Sequence, residues 1–335
     1  MLQRVHNPPN PWESTRIEWV GEPPPGKIEV FEEEAKSILS RNDSPDIPFR
    51  WSLNPYRGCL HGCAYCYARP SHQYLGFGAG TDFEQKIVVK VNAPRLLARE
   101  IRKLGEEELV FSGNTDCYQA FEARYRLTRS CLEVCTRAGV PVTVITKSAL
   151  VQRDGDLLRR IEERAGAMLW FSIGFLDEDP GRGLEPGVPA PSARFAAMRR
   201  LKNMGVPVGI AISPVLPGLN DHRIPTLLER AVEAGAERAF LTLLRLPGPV
   251  EEVFSRRLRE LVPDAAEALL ARLRDQRGGV LDQRGFGKRM VGEGARWQAV
   301  RDLFELTCKR MGVPFEARPV GRRRGPRRRQ GWLFE

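Results

Sequence analysis

Along the middle of the chain, short continuous runs of β-branched and apolar residues alternate with longer stretches whose apolar positions recur three and four residues apart. The runs fall at residues 49–53, 109–112, 140–146, 168–173, 206–212 and 239–244, and the spaced patterns at 92–104, 125–138, 156–165, 193–204 and 225–234. A run of that kind reads as a strand buried on both faces, and the longer period as a helix with one apolar side. Each helical stretch stops at a glycine, Gly105, Gly139, Gly166, Gly205 or Gly235, the residue best suited to closing a helix. Strands alternating with helices predict a parallel sheet with right-handed crossovers, which leaves every strand C-terminus on one face. Active sites of such α/β barrels gather on that face. Six strand signals fall short of the eight of a closed barrel.

Length and charge narrow the picture without fixing it. At 335 residues the chain can bury one large core with short additions. Its first twelve residues are polar and proline-rich, unlike a signal peptide. The longest apolar stretch, 167–176, is about half a membrane span. A cytoplasmic protein without a membrane partner is expected, and seven cysteines in a reducing compartment point to thiolate ligands and buried thiols rather than disulfides. The net charge of +10 is a tail property: removing Arg318, Arg322, Arg323, Arg324, Arg327, Arg328 and Arg329 leaves +3. Such a cluster, interspersed with glycine and proline, is an electrostatic hook for nucleic-acid phosphates or a solubilising tail.

The candidate chemistry lies just after the first strand signal, in Asn54-Pro55-Tyr56-Arg57-Gly58-Cys59-Leu60-His61-Gly62-Cys63-Ala64-Tyr65-Cys66-Tyr67. Glycines at 58 and 62 let the backbone turn three sulfurs, Cys59, Cys63 and Cys66, toward one small object. A 4Fe-4S cube normally takes four thiolates, so a loop offering three leaves one iron open. Zinc held by the three cysteines with His61 or His72 is the competing assignment. Against it, no second Cys-x-x-Cys or His-x-x-x-His pair follows in the sequence.

The spacing Cys-x-x-x-Cys-x-aromatic-Cys, with Tyr65 as the aromatic, resembles the signature of the radical S-adenosylmethionine (radical SAM) superfamily. The longer phrases 54–70 and 114–129 resemble its spore photoproduct lyase-like branch. That resemblance implies a 4Fe-4S cluster and S-adenosylmethionine (SAM) as cofactors, with the open iron chelating the methionine end of SAM and reductive cleavage giving a 5'-deoxyadenosyl radical. It also implies an electron donor such as flavodoxin or ferredoxin. The expected fold is α/β, a partial (β/α)6 TIM-type barrel over residues 48–250. An extended N-terminal arm (1–47), a C-terminal helical or lid region (251–315) and a basic disordered tail (316–335) would complete it.

At the strand ends the resemblance assigns further roles. Ser112-Gly113-Asn114-Thr115-Asp116 replaces the glycine-rich turn that meets the methionine amino group, with Thr115 and Asp116 the best candidates. Lys147 is similar to a lysine pairing the methionine carboxylate, and Ser172 to a serine contacting the cofactor. The backbone at Ser213 would face the adenine. Cys117 is a candidate hydrogen donor although the branch's donor position corresponds to Gly113, and Tyr67 is similar to a tyrosine linked to hydrogen transfer. Arg124, Arg126 and Arg129 open the second helix as candidate phosphate contacts. The glycine-punctuated basic stretch 284–294 resembles a substrate-side lid. The terminal Gln330-Gly331-Trp332-Leu333-Phe334 resembles a sliding-clamp-binding peptide. Together these imply hydrogen abstraction from a nucleic acid, in DNA repair or base modification. A peptide-modifying enzyme, or a non-catalytic Fe-S protein recruited to DNA, are the alternatives.

Overall fold

The computed structural model describes residues 7–8, 11–12, 27–283 and 285–316. The arginine tail, the terminal Gln330-to-Phe334 peptide and Arg284 lie outside them. The described strands are, in chain order, β1 (Glu29–Glu33), β2 (Leu39–Arg41), β3 (Trp51–Leu53), β4 (Tyr56–Arg57), β5 (Lys86–Lys90), β6 (Leu109–Phe111), β7 (Val142–Thr146), β8 (Ala167–Ser172), β9 (Val208–Val215), β10 (Arg238–Leu243) and β11 (Phe315–Glu316). The helices are α1 (Thr81–Gln85), α2 (Ala93–Glu100), α3 (Glu122–Tyr125), α4 (Leu127–Ala138), α5 (Gly155–Arg164), α6 (Pro191–Asn203), α7 (Ile224–Glu233), α8 (Val250–Leu261), α9 (Pro263–Asp275) and α10 (Gly294–Met311).

The strands β3, β6, β7, β8, β9 and β10 are neighbours in that order and all parallel. They are the six runs read from the sequence, and they form the partial barrel. Two additions extend the sheet: β2 pairs antiparallel with β3, and β11 pairs parallel with β10. A separate small sheet, β1-β5-β4, stands beside the barrel.

Strand alternation sorts the side chains into two sets. Leu53, Phe111, Val144, Leu169, Phe171, Ile210, Ile212 and Leu241 belong to the large core that includes helix residues such as Leu132, Leu158, Met198 and Leu228. The intervening positions Met168, Trp170, Ala211 and Phe240 form a second cluster with Ile145, the plug inside the barrel. Trp170 and Phe240 meet edge to face at 4.8 Å between ring centroids. Continuing the alternation toward the strand C-termini puts Ser112, Lys147, Ser172, Ser213 and Thr242 on the same inner face, one layer above the apolar plug.

Candidate functional site

The cysteine loop leaves the small sheet at Gly58. That glycine has φ of 73°, and a Cβ there would lie 2.8 Å from the Lys86 carbonyl and 2.9 Å from Ile87 Cδ1. Only glycine lets β4 turn so closely over β5. Cys59 N donates to Phe83 O at 2.9 Å, and Ala64 N to Leu184 O at 2.9 Å. Gln119 clamps the turn, its amide donating to Gly58 O at 3.0 Å and its carbonyl accepting from Leu60 N at 3.1 Å.

Under the loop lies a fully buried arginine, Arg69. Its guanidinium donates to Cys63 O at 2.8 and 3.0 Å, Gly62 O at 3.1 Å, and Ala79 O and Gly80 O at 3.0 Å, and it pairs with Glu84. From α8, Arg257 reaches the same place, donating to Gly62 O and Glu84 Oε2 at 2.8 Å each. Sequence reasoning missed both arginines. Nothing in the sequence separates them from the many exposed arginines around them.

Cys59 and Cys63 are buried and Cys66 partly so. Burial pushes all three thiols up, and Cys59 is raised further by the charges of Asp116, Cys66 and Cys63. Thiolates withdrawn from water and crowded together need a cationic partner, which is what an iron-sulfur cluster supplies. Among the described residues no three His, Cys, Asp or Glu side chains are grouped to hold one metal ion, whereas a cube takes each thiolate at a different iron. The residues present fit a three-thiolate cluster. The other cysteines, Cys117, Cys131, Cys135 and Cys308, lie in the core.

Facing that loop is a connected polar layer. Lys147 Nζ donates to Ser172 Oγ at 2.6 Å and Ser213 O at 3.2 Å, and lies 3.2 Å from Glu185 Oε1. Ser172 Oγ also donates to Ser213 O at 2.9 Å, and Ser213 Oγ meets Thr242 Oγ1 at 2.5 Å. Glu185, fully buried, accepts from the Tyr65 hydroxyl and pairs with Arg194 at 3.2 Å. Burial works to raise its pKa, yet Lys147 and Arg194 outweigh burial and hold the carboxyl at about 2. Arg194 in turn donates to Ser172 O at 2.6 Å. Glu185 and Arg194 are the second pair that the sequence did not reveal.

The second strand end is arranged differently from its neighbours. Ser112 takes a φ of 67°, a left-handed conformation uncommon outside glycine, which turns the chain away from β6 at once. Its hydroxyl accepts from Cys117 N at 2.9 Å. Asn114 N donates to Asn54 Oδ1 at 3.0 Å and Asn114 Nδ2 to Ser71 Oγ at 3.2 Å. Thr115 Oγ1 is spent on Tyr56 O at 2.6 Å. Asp116 is likewise committed on both oxygens: Oδ1 accepts from Thr146 Oγ1 at 2.7 Å and Tyr118 N at 2.8 Å, Oδ2 from Lys147 N at 2.7 Å, with His61 Nδ1 3.4 Å away. Burial opposes its charge, but His61 and these donors keep the carboxyl below the usual range. Asp116 therefore fastens the second strand end to the third and sets the start of the Lys147 segment.

The two candidates for hydrogen transfer sit apart. Tyr67 is 54% exposed, its hydroxyl donating to Gly113 O at 3.1 Å. Cys117 is fully buried in the core, its carbonyl accepting from Thr128 Oγ1 at 2.6 Å.

The model of the radical SAM superfamily matches residues 53–231, more than half of the chain, and the chain belongs to that superfamily. It is a radical SAM enzyme, and its cofactors are a 4Fe-4S cluster and SAM. An uncharacterised protein of Mycobacterium tuberculosis is 34% identical over 226 residues, 66% of this chain and 66% of that protein, so the match spans just under two thirds of the relative's own length. A radical SAM Nα-GlyT isomerase of Pseudomonas phage M6 is 26% identical over 185 residues, 54% of this chain and 36% of that one. Among solved structures, spore photoproduct lyase complexed with dinucleoside spore photoproduct superposes with a TM-score of 0.62 at 17% identity, covering 85% of this chain and 81% of that one. That likeness is one of fold. Among the described residues no helix is long and apolar enough to cross a membrane.

Proposed function

We propose that this enzyme acts on a nucleic acid, removing hydrogen from a base or sugar held at the barrel mouth, in DNA repair or base modification. The observation that carries the site assignment is the polar layer of Lys147, Ser172, Ser213 and Glu185 on the inner face opposite the cysteine loop. Cys59, Cys63 and Cys66 would hold the cluster, which when bound supplies the electron that splits the sulfonium of SAM. Lys147 is the cation for the methionine carboxylate. It can turn from Glu185 without leaving that carboxylate bare, since Arg194 stays on it. Ser172 and the Ser213 carbonyl hold the ammonium of Lys147 at the right height. Ser112, Gly113 and Asn114 line the approach of the amino group, and Thr115 and Asp116 position them. Tyr65 braces the loop against Glu185. Tyr67, whose hydroxyl is at the open mouth, is the better placed of the two candidates for moving a hydrogen; Cys117 reaches no surface.

The nucleic-acid reading is supported by the shared fold with a lyase solved with a dinucleoside photoproduct, and by a groove of about 630 Å3 on the outside of the barrel whose lining includes the exposed Arg126 and Arg200. The tail from Arg318 to Arg329 would add phosphate contacts, Gln330 to Phe334 would dock on a sliding clamp, and a flavodoxin or ferredoxin would deliver electrons. The test is anaerobic reconstitution with iron, sulfide, SAM and dithionite, then incubation with ultraviolet-irradiated DNA, tRNA and peptide pools. The expected result is 5'-deoxyadenosine that disappears in each Cys→Ala variant, with altered nucleotides in the digests. Altered peptides with untouched nucleic acids would overturn the substrate class.

A further inference from the structure

Arg245 follows the end of the sixth barrel strand, β10, and so stands on the rim of the mouth. The backbone leading into it is fixed by a second arginine, Arg277, whose Nη2 donates to Leu243 O at 2.5 Å and Nε to Leu244 O at 3.0 Å. Arg277 also binds Arg289 O and Val291 O at 2.9 and 3.2 Å, tying the rim to the segment that follows α9. Arg277 is thus a structural arginine with its donors used on carbonyls. Arg245 is its opposite. It is partly buried, its Nε is shut away from solvent with no hydrogen-bond partner, and among the described residues its guanidinium makes no ion pair.

The groups acting on it make this isolation costly. Burial and the nearby Arg289 charge both work against its protonated form, while the carboxylates of Asp282 and Asp46 favour it. Asp46 is engaged elsewhere, accepting from Arg289 Nε at 2.7 Å and Gly287 N at 2.8 Å. Asp282 accepts the Gly248 amide on Oδ2 alone, at 3.0 Å, and among the described residues makes no ion pair with Arg245. A guanidinium held in place, half withdrawn from water and left without an anion costs stability. An unpartnered buried donor of this kind calls for an explanation, and a bound anion that supplies the missing partner is one. Planar guanidinium donors match a phosphodiester in two-point fashion. The neighbour of Arg245 on the cluster side is the uncharged Tyr67, next to Cys66, so an anion bound here lies on the substrate side of the mouth. Lys147 offers the cation for SAM between the ends of β7, β8 and β9.

We propose that Arg245 is a phosphate anchor, holding the phosphodiester adjacent to the nucleotide presented at the mouth beside Tyr67. This rests on the nucleic-acid reading above. The test uses the full-length, anaerobically reconstituted protein and its Arg245→Gln and Arg245→Lys variants. Each is titrated by NMR with a DNA dinucleotide and with the same dinucleotide joined by a neutral methylphosphonate. The wild type should prefer the charged linkage by about tenfold, the scale of one hydrogen-bonded charge pair. Arg245→Gln should bind both alike, and Arg245→Lys should keep part of the preference. SAM affinity by equilibrium dialysis should not change, and Arg245→Gln should melt no lower than wild type, because an unpaired guanidinium stabilises nothing. A wild type that binds both dinucleotides equally, a glutamine variant that keeps the preference, or one that loses SAM instead would each overturn the anchor alone. A wild type that binds neither would overturn the nucleic-acid reading with it.

Discussion

Glu185 is the residue on which the cofactor side of the site turns. Its carboxyl lies at about 2 against an ordinary value of 4.5, so the folded state binds this proton less readily than the unfolded chain does. Stability from the group is therefore fully present above about pH 4.5 and is lost as pH falls toward 2; the shift corresponds to about 3 kcal/mol. Glu185→Gln should accordingly melt well below wild type at pH 7, and the gap should narrow at pH 3; parallel melting curves at the two pH values would contradict this account. Arg69 makes a comparable case for the cluster loop. Arg69→Met takes the guanidinium away from Ala79 O and from the Glu84 carboxylate in a largely dry interior, at a cost of about 3–5 kcal/mol, and iron bound per chain after reconstitution should drop while Arg69→Lys recovers part of it. These residues explain where sequence reading stops. Cys59, Cys63 and Cys66 stand out in the sequence by their tight spacing, and Lys147 and Ser172 only by their resemblance to strand-end residues of the spore photoproduct lyase-like branch. Arg69 reaches partners up to 15 positions away, Arg194 22, Glu185 120 and Arg257 195, with no motif marking any of them, and an arginine or glutamate is by default a surface residue.

At the scale of elements, the barrel strands were readable because both of their faces are buried, so each run is dominated by apolar and β-branched residues with only an occasional serine or threonine, as at Ser52, Thr143 and Thr242. The small sheet was not. In β1, Glu29, Val30, Phe31 and Glu32 are all exposed, and β4, β2 and β11 are two or three residues long, too short for any periodicity. What the small sheet does is hold the cysteine loop, and its tightest joint is Gly58. Gly58→Ala combines a left-handed backbone with a Cβ 2.8 Å from a carbonyl that cannot move without β5. It should cost about 1–3 kcal/mol and reduce cluster loading. Gly139→Ala is the matched control, with a left-handed φ of 65° and ψ of 35° but nothing within 4 Å of the new Cβ. It should cost about 1 kcal/mol and leave cluster loading intact. Equal loading in both variants would show that the β4–β5 joint does not shape the loop.

For the whole molecule the question is how a long polyanion would lie across it. The outer groove sits between the start of α4, the turn after β7 and the end of α6, and its arginines are of two kinds. Arg129 binds Asp154 and Asp156 at 3.0 and 2.9 Å, and Arg153 binds Glu122 and Asp154 at 2.6 and 2.7 Å; these hold the buried Asp154 and Glu122 and the partly exposed Asp156 in place. Arg126 and Arg200 are exposed and, among the described residues, make no side-chain ion pair. Only the second kind is available to phosphates. If a single strand crosses this groove, each of Arg126→Ala and Arg200→Ala should lower the slope of log affinity against log salt by about 0.7, with no change in melting temperature. Arg129→Ala should instead lower the melting temperature, by leaving Asp154 without one of its two guanidinium partners. Deleting residues 317–335 removes seven arginines and should take away a larger part of the slope, so the two contributions separate by double substitution in the shortened chain. A shortened chain that still binds the oligonucleotide, with a slope insensitive to Arg126 and Arg200, would place the strand on another face. A shortened chain with no salt-dependent binding left would reduce the interaction to its tail.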